Sequence, residues 1–429
     1  MTRVAPPWID EPTTRVLLDA LRAAGIEARF VGGCVRDALL GRPSADIDLA
    51  TPARPEQIIA ALEKAGIKAV PTGIVHGTVT AVVNPPDLAD GGLPPRHFEI
   101  TTLRRDVETY GRHARVAFGA DWSEDAARRD FTINALYLDP DGTVHDPVGG
   151  LADLAAHRVR FVGEPVRRIA EDVLRVLRYY RFEARFGRGV GDQAARAACR
   201  GAVPLLPTLS AERVAQEVLR LLAIADPVPA LRMMRDDGVL AAILPEATRL
   251  DRLQALLPLE PVADPVLRLA ALVDVDPEGA ALLVERLHLS NAMRDRLAGL
   301  ARPWPLDPAA DGKERRRALY RLGADRVRDL ALLLAAEGRL DRNRLAELLA
   351  CAAAWEAPHF PIGGRDVMAL GVSPGPDVGR LLATVRCWWE AGDFRADRAA
   401  CLACLGELIA RERRPAGDDG SIDDGKPAS

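Results

Sequence analysis

The pattern of apolar and polar residues divides the chain into a mixed first part and a helical second part. Apolar residues three and four apart predict helices at 12–25, 34–40 and 55–65. Short apolar or alternating runs bounded by glycine, proline and aspartate predict strands at 29–31, 46–48, 68–71, 77–84, 97–103, 144–147 and 158–162. After residue 162 the period is almost wholly helical. We therefore expect an α+β protein in which a mixed sheet with helices is followed by an all-α neck and body.

Length and composition favour several domains. A chain of 429 residues is too long for one core and suggests two to four domains. The pattern predicts a lead-in helix at 1–26, a mixed head at 27–160 and a helical neck at 161–240. An all-α body at 241–415 and a disordered acidic tail at 416–429 follow.

Composition also limits the class of protein. No run approaches the roughly 20 apolar residues of a membrane helix, and the N-terminus has no signal-peptide pattern, so we expect a cytoplasmic protein without a membrane partner. The six scattered cysteines indicate reduced thiols, and Cys401 and Cys404 suit core packing. A net charge of −4 argues against non-specific coating of nucleic acid, so RNA binding requires a local basic stripe. The sequence predicts no oligomeric state.

Residues 29–51 combine a glycine turn with a pair of acids. A strand ends at Val31, Gly32 and Gly33 open a helix, and a second strand carries Asp46 and Asp48. Because side chains alternate across a strand, both carboxylates project from one face, about 6 to 7 Å apart. Mg²⁺ prefers such oxygens, and N–H groups at the start of a helix suit a phosphate. The stretch predicts a site for a nucleoside triphosphate and its Mg²⁺ ions.

Five stretches together carry a family resemblance. The order strand, GG-x-V-R-D, helix, D-x-D is followed by FEITTLRRD (98–106), RRDFTINALY (128–137), DPVGGLADL (146–154) and EDVLRVLRYYRFEARFG (171–187). This order resembles the class II tRNA nucleotidyltransferases and bacterial poly(A) polymerases over about the first 240 residues. The resemblance implies that residues 27–160 form a polymerase-beta-like nucleotidyltransferase head, 161–240 a base-reading neck and 241–415 a body that binds tRNA.

The resemblance also implies the residues of the site. Asp46 and Asp48 match the catalytic, metal-binding carboxylates of the family. The Asp and Arg of the family's E-D-x-x-R motif pair with the Watson–Crick edge of the incoming base. The implied nucleotide-binding residues are Gly33 and Arg36 for the triphosphate, Arg129 for the triphosphate or sugar, Asp172 and Arg175 for the base, and Arg178 and Arg181 beside them.

The residue types at 171–187 suit this chemistry. On a helix beginning near Glu171, four arginines fall within about a 120° arc, opposite an apolar side. These are Arg175, Arg178, Arg181 and Arg185. A carboxylate accepts from the exocyclic amine of C or A, and a guanidinium donates to ring nitrogens or carbonyls. Side chains can thus select CTP and ATP without a template.

The resemblance implies a template-independent enzyme that adds CCA to tRNA 3′ ends from CTP and ATP and releases pyrophosphate by a two-metal mechanism. Poly(A) polymerases share the head motifs but carry basic C-terminal extensions, whereas this tail is acidic. An enzyme that adds only CC or only A is a further alternative. The intact acid pair disfavours a non-enzymatic RNA-binding protein.

Several further expectations concern single segments. Glu99 is either a third catalytic carboxylate or a structural acid. Residues 104–122 lack a regular period and predict a mobile loop, after which Ser123 caps a helix through RRDFTINAL. Arg213 and Glu217 have the spacing of an exposed i, i+4 pair. The arginine-rich segment 312–330 either follows the tRNA backbone or is a solvated helix surface.

Overall fold

The structure is a computed structural model that describes residues 2–44, 46–74, 77–85, 94–110 and 113–413. The chain forms two compact units, Met1–Arg302 and Pro303–Ser429. The first unit contains the predicted lead-in helix, head and neck, and their expected boundaries remain predictions. The predicted acidic tail lies outside the described residues.

A mixed sheet forms the centre of the head. The strands of the described chain are β1 (Arg29–Val31), β2 (Ile47–Thr51), β3 (Lys68–Gly73), β4 (Thr78–Val83), β5 (Arg96–Thr102), β6 (Arg104–Tyr110), β7 (His113–Phe118), β8 (Tyr137–Leu138) and β9 (Val144–His145). Seven of these described strands form one sheet in the order β3-β4-β5-β2-β1-β8-β9, in which β2 and β5 run parallel. The predicted α+β class is confirmed.

Helices of the head pack on this sheet, and the part of the first unit that follows the head consists of helices without strands among the described residues. The head contains α1 (Pro12–Ala23), α2 (Gly33–Leu39), α3 (Pro55–Lys64), α4 (Trp122–Ala127) and α5 (Gly150–Ala155). The helical part of the first unit contains α6 (Pro165–Glu171), α7 (Arg175–Phe186), α8 (Gln193–Gly201), α9 (Ala211–Leu222), α10 (Val228–Asp236), α11 (Val239–Ile243), α12 (Leu250–Leu256), α13 (Pro265–Leu272), α14 (Pro277–Arg286) and α15 (Asn291–Leu300). The lead-in helix is confirmed as α1, whose apolar face is buried through Leu17, Leu18 and Leu21.

Three local predictions were wrong. The segment expected to be an irregular loop contains β6 and β7, which pair antiparallel as a separate two-stranded sheet. The predicted strand at 158–162 is reduced to one isolated bridge between Phe131 and Phe161. The helix expected through RRDFTINAL ends at Ala127, and its N-cap is Asp121, whose side chain accepts from the Ser123 N–H.

The second unit has its own core. It contains α16 (Gly312–Leu322), α17 (Ala324–Ala336), α18 (Arg342–Ala353), α19 (Gly364–Ala369), α20 (Pro376–Ala391) and α21 (Arg398–Arg413). Trp389, Cys401 and Leu405 lie in one buried cluster, and Cys404 packs against it. The prediction that these cysteines serve core packing is confirmed. Among the described residues, no helix is long and apolar enough to cross a membrane.

Candidate active site

Three carboxylates lie close together at β2 and β5, two adjacent central strands of the head sheet. Asp46 directly precedes β2, Asp48 lies within it, and Asp48 is in register with Glu99 on parallel β5. Burial raises the pKa of Asp48 to about 6, and the negative charges of Glu99 and Asp46 add to this effect. Within the described ranges none of the three is in an ion pair, and the positive charge of Arg129 only partly offsets the effect of burial and of the neighbouring acids on the Asp48 pKa.

The glycine turn lies between two guanidinium groups. Gly32 has a φ of +75°, which favours glycine, and it precedes the first residue of α2. A Cβ built on Gly32 would lie 3.7 Å from Arg129 Nη1, and a Cβ on Gly33 would lie 3.6 Å from Arg36 Nη2. The sequence-predicted phosphate residues Gly33, Arg36 and Arg129 are therefore brought together.

Asp125 fixes the position of Arg129. Its carboxylate is 1% exposed and accepts from Arg129 at 2.9 Å, from Arg128 at 2.6 Å and from the Tyr137 hydroxyl at 2.8 Å. Burial alone would raise the pKa of Asp125, but Arg129, Arg128 and Tyr137 outweigh it and lower the pKa to about 2. Asp125 is thus ionised and holds Arg129 beside the glycine turn.

The proposed base-reading residues lie at a break between two helices. We expected one helix from Glu171, but α6 ends at Glu171 and α7 begins at Arg175. Asp172 is extended, with φ −153° and ψ 106°, and its Oδ1 accepts from the Leu174 N–H at 3.1 Å. Asp172 therefore lies in an irregular segment rather than on a helix face.

Asp172 and Arg175 are each held by other groups. Arg213 on α9 donates to Asp172 Oδ2 at 2.7 Å. Arg175 donates to Glu171 Oε2 at 2.6 Å and to the Arg168 carbonyl at 2.8 Å. The two lie three residues apart along the chain and are independently positioned.

Arg178 is bonded to a segment of the head. Arg178 Nε donates to Asp130 at 2.8 Å, and Asp130 accepts from Asn134 Nδ2 at 3.2 Å. Asn134 in turn accepts from Arg36. This chain of bonds links the residue predicted to bind the triphosphate to the helix predicted to read the base.

The prediction of an exposed Arg213–Glu217 pair was wrong. Glu217 is 3% exposed and accepts from Arg181 Nε at 2.6 Å, whereas Arg213 binds Asp172. The sequence held a signal that could have indicated this arrangement. Glu217 lies at helical spacing between Val214 and Leu221, on the face of α9 that packs, so an acid there needs a buried partner.

Three arginines of segment 312–330 form ion pairs within the second unit. Arg315 pairs with Glu347 at 2.8 Å, Arg316 with Asp393 at 2.7 Å and Arg321 with Glu390 at 2.6 Å. These ion pairs tie α16 to α18, α20 and the turn that follows α20.

Comparisons with known proteins agree with this geometry. The model of the "Poly A polymerase head domain" matches residues 28–160, and that of the "Probable RNA and SrmB- binding site of polymerase A" matches 192–250. A structural neighbour is the Bacillus stearothermophilus CCA-adding enzyme in complex with CTP. It has a TM-score of 0.77 and 28% identity, with coverage of 95% of this chain and 99% of that chain.

Curated relatives extend over nearly the whole length. The chain is 33% identical to the mitochondrial CCA tRNA nucleotidyltransferase 1 of Danio rerio, over 89% of this chain and 87% of the relative. It is 31% identical to the CCA-adding enzyme of Limosilactobacillus fermentum, over 92% of this chain and 96% of the relative. With its acidic strand edge, glycine turn and arginine-rich neck, the chain belongs to the family of CCA-adding tRNA nucleotidyltransferases.

Proposed function

We propose that this protein adds C, C and A to the 3′ end of tRNA, using CTP and ATP and releasing pyrophosphate without a nucleic-acid template. The observation that carries the proposal is the combination, in one compact unit, of the acidic strand edge with the arginines of α7. The full-length relatives are named for CCA addition, which favours this reaction over poly(A) synthesis.

Asp46 and Asp48 are the residues that would hold Mg²⁺. The donor set fits, because hard carboxylate oxygens lie close together and the pKa of Asp48 stays raised even though Arg129 lowers it in part. Glu99 is adjacent, and its role as a third carboxylate remains a prediction. Among the described residues no three His, Cys, Asp or Glu side chains are placed to hold a metal ion by themselves. Substrate phosphates and water would therefore supply the remaining ligands of Mg²⁺. When bound, the ions activate the terminal ribose hydroxyl and offset charge on the departing pyrophosphate.

The remaining residues bind and orient the substrates. The Gly33 N–H, Arg36 and Arg129 surround the turn where the triphosphate would lie. Asp172 and Arg175 would accept from and donate to the edge of the base, and Arg213 and Glu171 already fix their orientation. Such preorganisation reduces the freedom lost on binding.

One assay tests the reaction. Purified protein is incubated with tRNA that lacks its CCA end, with CTP and ATP offered separately and together, and the products are sequenced. We expect CC with CTP alone and CCA with both. Only A, or a long A tract, would overturn the proposal in favour of an A-adding enzyme or a poly(A) polymerase.

Removal of either acid is the matched control. Asp46→Ala and Asp48→Ala should abolish addition while leaving tRNA affinity and thermal stability nearly unchanged, because within the described residues neither carboxylate forms an ion pair and the two like charges repel each other. Near wild-type turnover in either variant would refute the assignment of the site.

A further inference from the structure

Three arginines surround one phenyl ring at the far end of α2. The guanidinium carbons of Arg36, Arg185 and Arg42 lie 4.1, 5.2 and 5.5 Å from the centroid of the Phe186 ring. Phe186 is 5% exposed, so the ring is a fixed part of the fold. Each contact has cation–π geometry, which attracts a cation but leaves its charge in place.

The backbone fixes the position of Arg42. Gly41 has a φ of +65°, and the Arg42 N–H donates to the Asp37 carbonyl at 2.8 Å, closing the C-terminus of α2. Arg185 comes from α7, at the end of the arginine stripe. The two exposed arginines are therefore presented by two different, well-anchored elements.

The cluster has more positive than negative charge. Asp37 pairs with Arg36 at 2.9 Å and with Arg185 at 3.5 Å. Within the described ranges no carboxylate pairs with Arg42. Burial and the nearby charge of Arg185 lower the pKa of Arg36 even though Asp37 opposes them. Asp37 is thus the one carboxylate of the described chain that forms an ion pair with any of these three guanidinium groups, and an anion from solvent would offset the excess.

Solvent exposure determines which of the three arginines would bind that anion. Arg36 is 5% exposed and already bonded to Asp37 and Asn134. Arg185 has 46% of its side chain exposed, and Arg42 is exposed. A guanidinium pair open to solvent suits a phosphate, which accepts several N–H bonds at once.

The position of the cluster indicates which of the two phosphate-bearing substrates, the nucleotide or the RNA primer, it binds. This step rests on the proposed function. Gly33 begins α2, and the thiol of Cys34 beside it contacts the Asp48 carbonyl at 3.8 Å, so the acids of β2 lie near this end of the helix. A seven-residue helix is about 10 Å long. Arg42 follows its other end, so it is displaced from the turn assigned to the triphosphate. The RNA primer is the substrate that extends out of the site with a phosphate at every nucleotide. We propose that Arg42 and Arg185 bind a backbone phosphate of the primer near its 3′ end.

The test combines variants with chemically neutral linkages. The full-length wild type and the double variant Arg42→Gln/Arg185→Gln are titrated with tRNA that lacks its CCA end. They are also titrated with a set of such tRNAs, each of which carries a single methylphosphonate at one of the linkages near the 3′ end. In the wild type, a methylphosphonate at one of these linkages should weaken tRNA binding at least fivefold. In the double variant that penalty should vanish, the dissociation constant for unmodified tRNA should rise at least fivefold, and the salt slope should fall by about 0.7 to 0.9, the value for one phosphate contact.

Controls separate this site from the alternatives. Arg22→Gln removes an exposed arginine on α1 and should keep wild-type affinity within about twofold. A rise in the KM for CTP at saturating tRNA, with unchanged tRNA affinity, would assign the cluster to the triphosphate and overturn the proposal. A methylphosphonate penalty that persists in a folded double variant would also overturn it. Failure of wild type to add CMP would instead refute the proposed function, because binding is measured without nucleotide.

Discussion

At the scale of single residues, each arginine of the candidate site is held by a carboxylate before any substrate arrives. The pairs are Arg36–Asp37, Arg129–Asp125, Arg175–Glu171, Arg178–Asp130 and Arg181–Glu217. A free arginine side chain has about 2 kcal/mol of rotamer entropy to lose. Because the acids have already restricted these side chains, less of that entropy is lost when a nucleotide binds.

Asp125 gives a pH-dependent prediction. Its folded pKa of about 2 lies below its ordinary value of 3.8, so its stabilisation is complete above that value and is lost as pH falls toward 2. Asp125→Asn should lower the free energy of unfolding by about 2 to 3 kcal/mol at pH 7 and by much less near pH 2. Urea unfolding across this range measures the difference. Asp19→Asn, in an exposed pair with Arg22, is the control and should change little. Parallel pH profiles for wild type and Asp125→Asn would contradict the prediction.

The reading pair gives a prediction about selectivity. If Asp172 and Arg175 bond the base, replacing either with alanine should narrow the preference for CTP and ATP over UTP and GTP. A lost hydrogen bond to a charged group costs about 1.5 to 3 kcal/mol, or roughly 10- to 150-fold. The kcat/KM for all four triphosphates on one primer measures this, and a parallel fall with an unchanged ratio would refute base reading.

Arg213 extends that prediction to a positioning residue. Since Arg213 holds Asp172 at 2.7 Å, Arg213→Gln should reduce selectivity in the same direction but less than Asp172→Ala. Arg235→Gln, an exposed arginine on α10, is the matched control. Loss of activity toward all four triphosphates in equal proportion would assign Arg213 to general stability instead.

At the scale of elements, aspartate side chains bond the backbone at two places where a predicted helix is not continuous. Strong alternation identified β4 and β5, and helical period identified α1 and α3. The expected helix through RRDFTINAL breaks where Asp130 Oδ1 accepts from the Phe131 N–H at 2.9 Å. The expected helix from Glu171 breaks where Asp172 accepts from the Leu174 N–H. Such local bonds compete with helical ones, and which competitor prevails depends on tertiary partners such as Arg178 and Arg213 that lie far away in sequence.

The hairpin of β6 and β7 is a separable element. Its strands pair with each other and belong to a different sheet from the seven-stranded one. Replacing residues 107–115 with a short glycine-serine linker should therefore leave the head folded, as measured by thermal melting. The family resemblance implies that a segment at this position assists the change of nucleotide specificity, so we expect retained C addition and lost A addition, read by sequencing products made with CTP and then ATP. Unchanged addition of both nucleotides would reduce the hairpin to a spacer.

At the scale of the whole molecule, every residue assigned to nucleotide chemistry lies in the first unit, whereas the second unit is built around its own aromatic cluster. Trp389 is 2% exposed, and its ring lies 5.0 Å from Phe394 and 5.3 Å from Phe360. Its Nε1 donates to the Ala396 carbonyl at 3.0 Å. Sequence periodicity predicted helices in both units, but the boundary between units depends on which apolar faces meet, and periodicity does not contain that information.

Separate cores predict separate loss of structure. Trp389→Ala should destabilise the second unit by about 3 to 5 kcal/mol, because it removes a large buried ring and leaves the Ala396 carbonyl without that donor. Hydrogen exchange should then accelerate in peptides from 312–413 while β2 and β5 keep their protection. CTP should still bind, because its predicted ligands lie between Gly33 and Arg181. Trp388→Ala is the matched control, since the neighbouring ring is 44% exposed and its removal should change exchange little. Loss of protection in the head strands of Trp389→Ala would show instead that the two units unfold together, and that CTP binding depends on the intact whole.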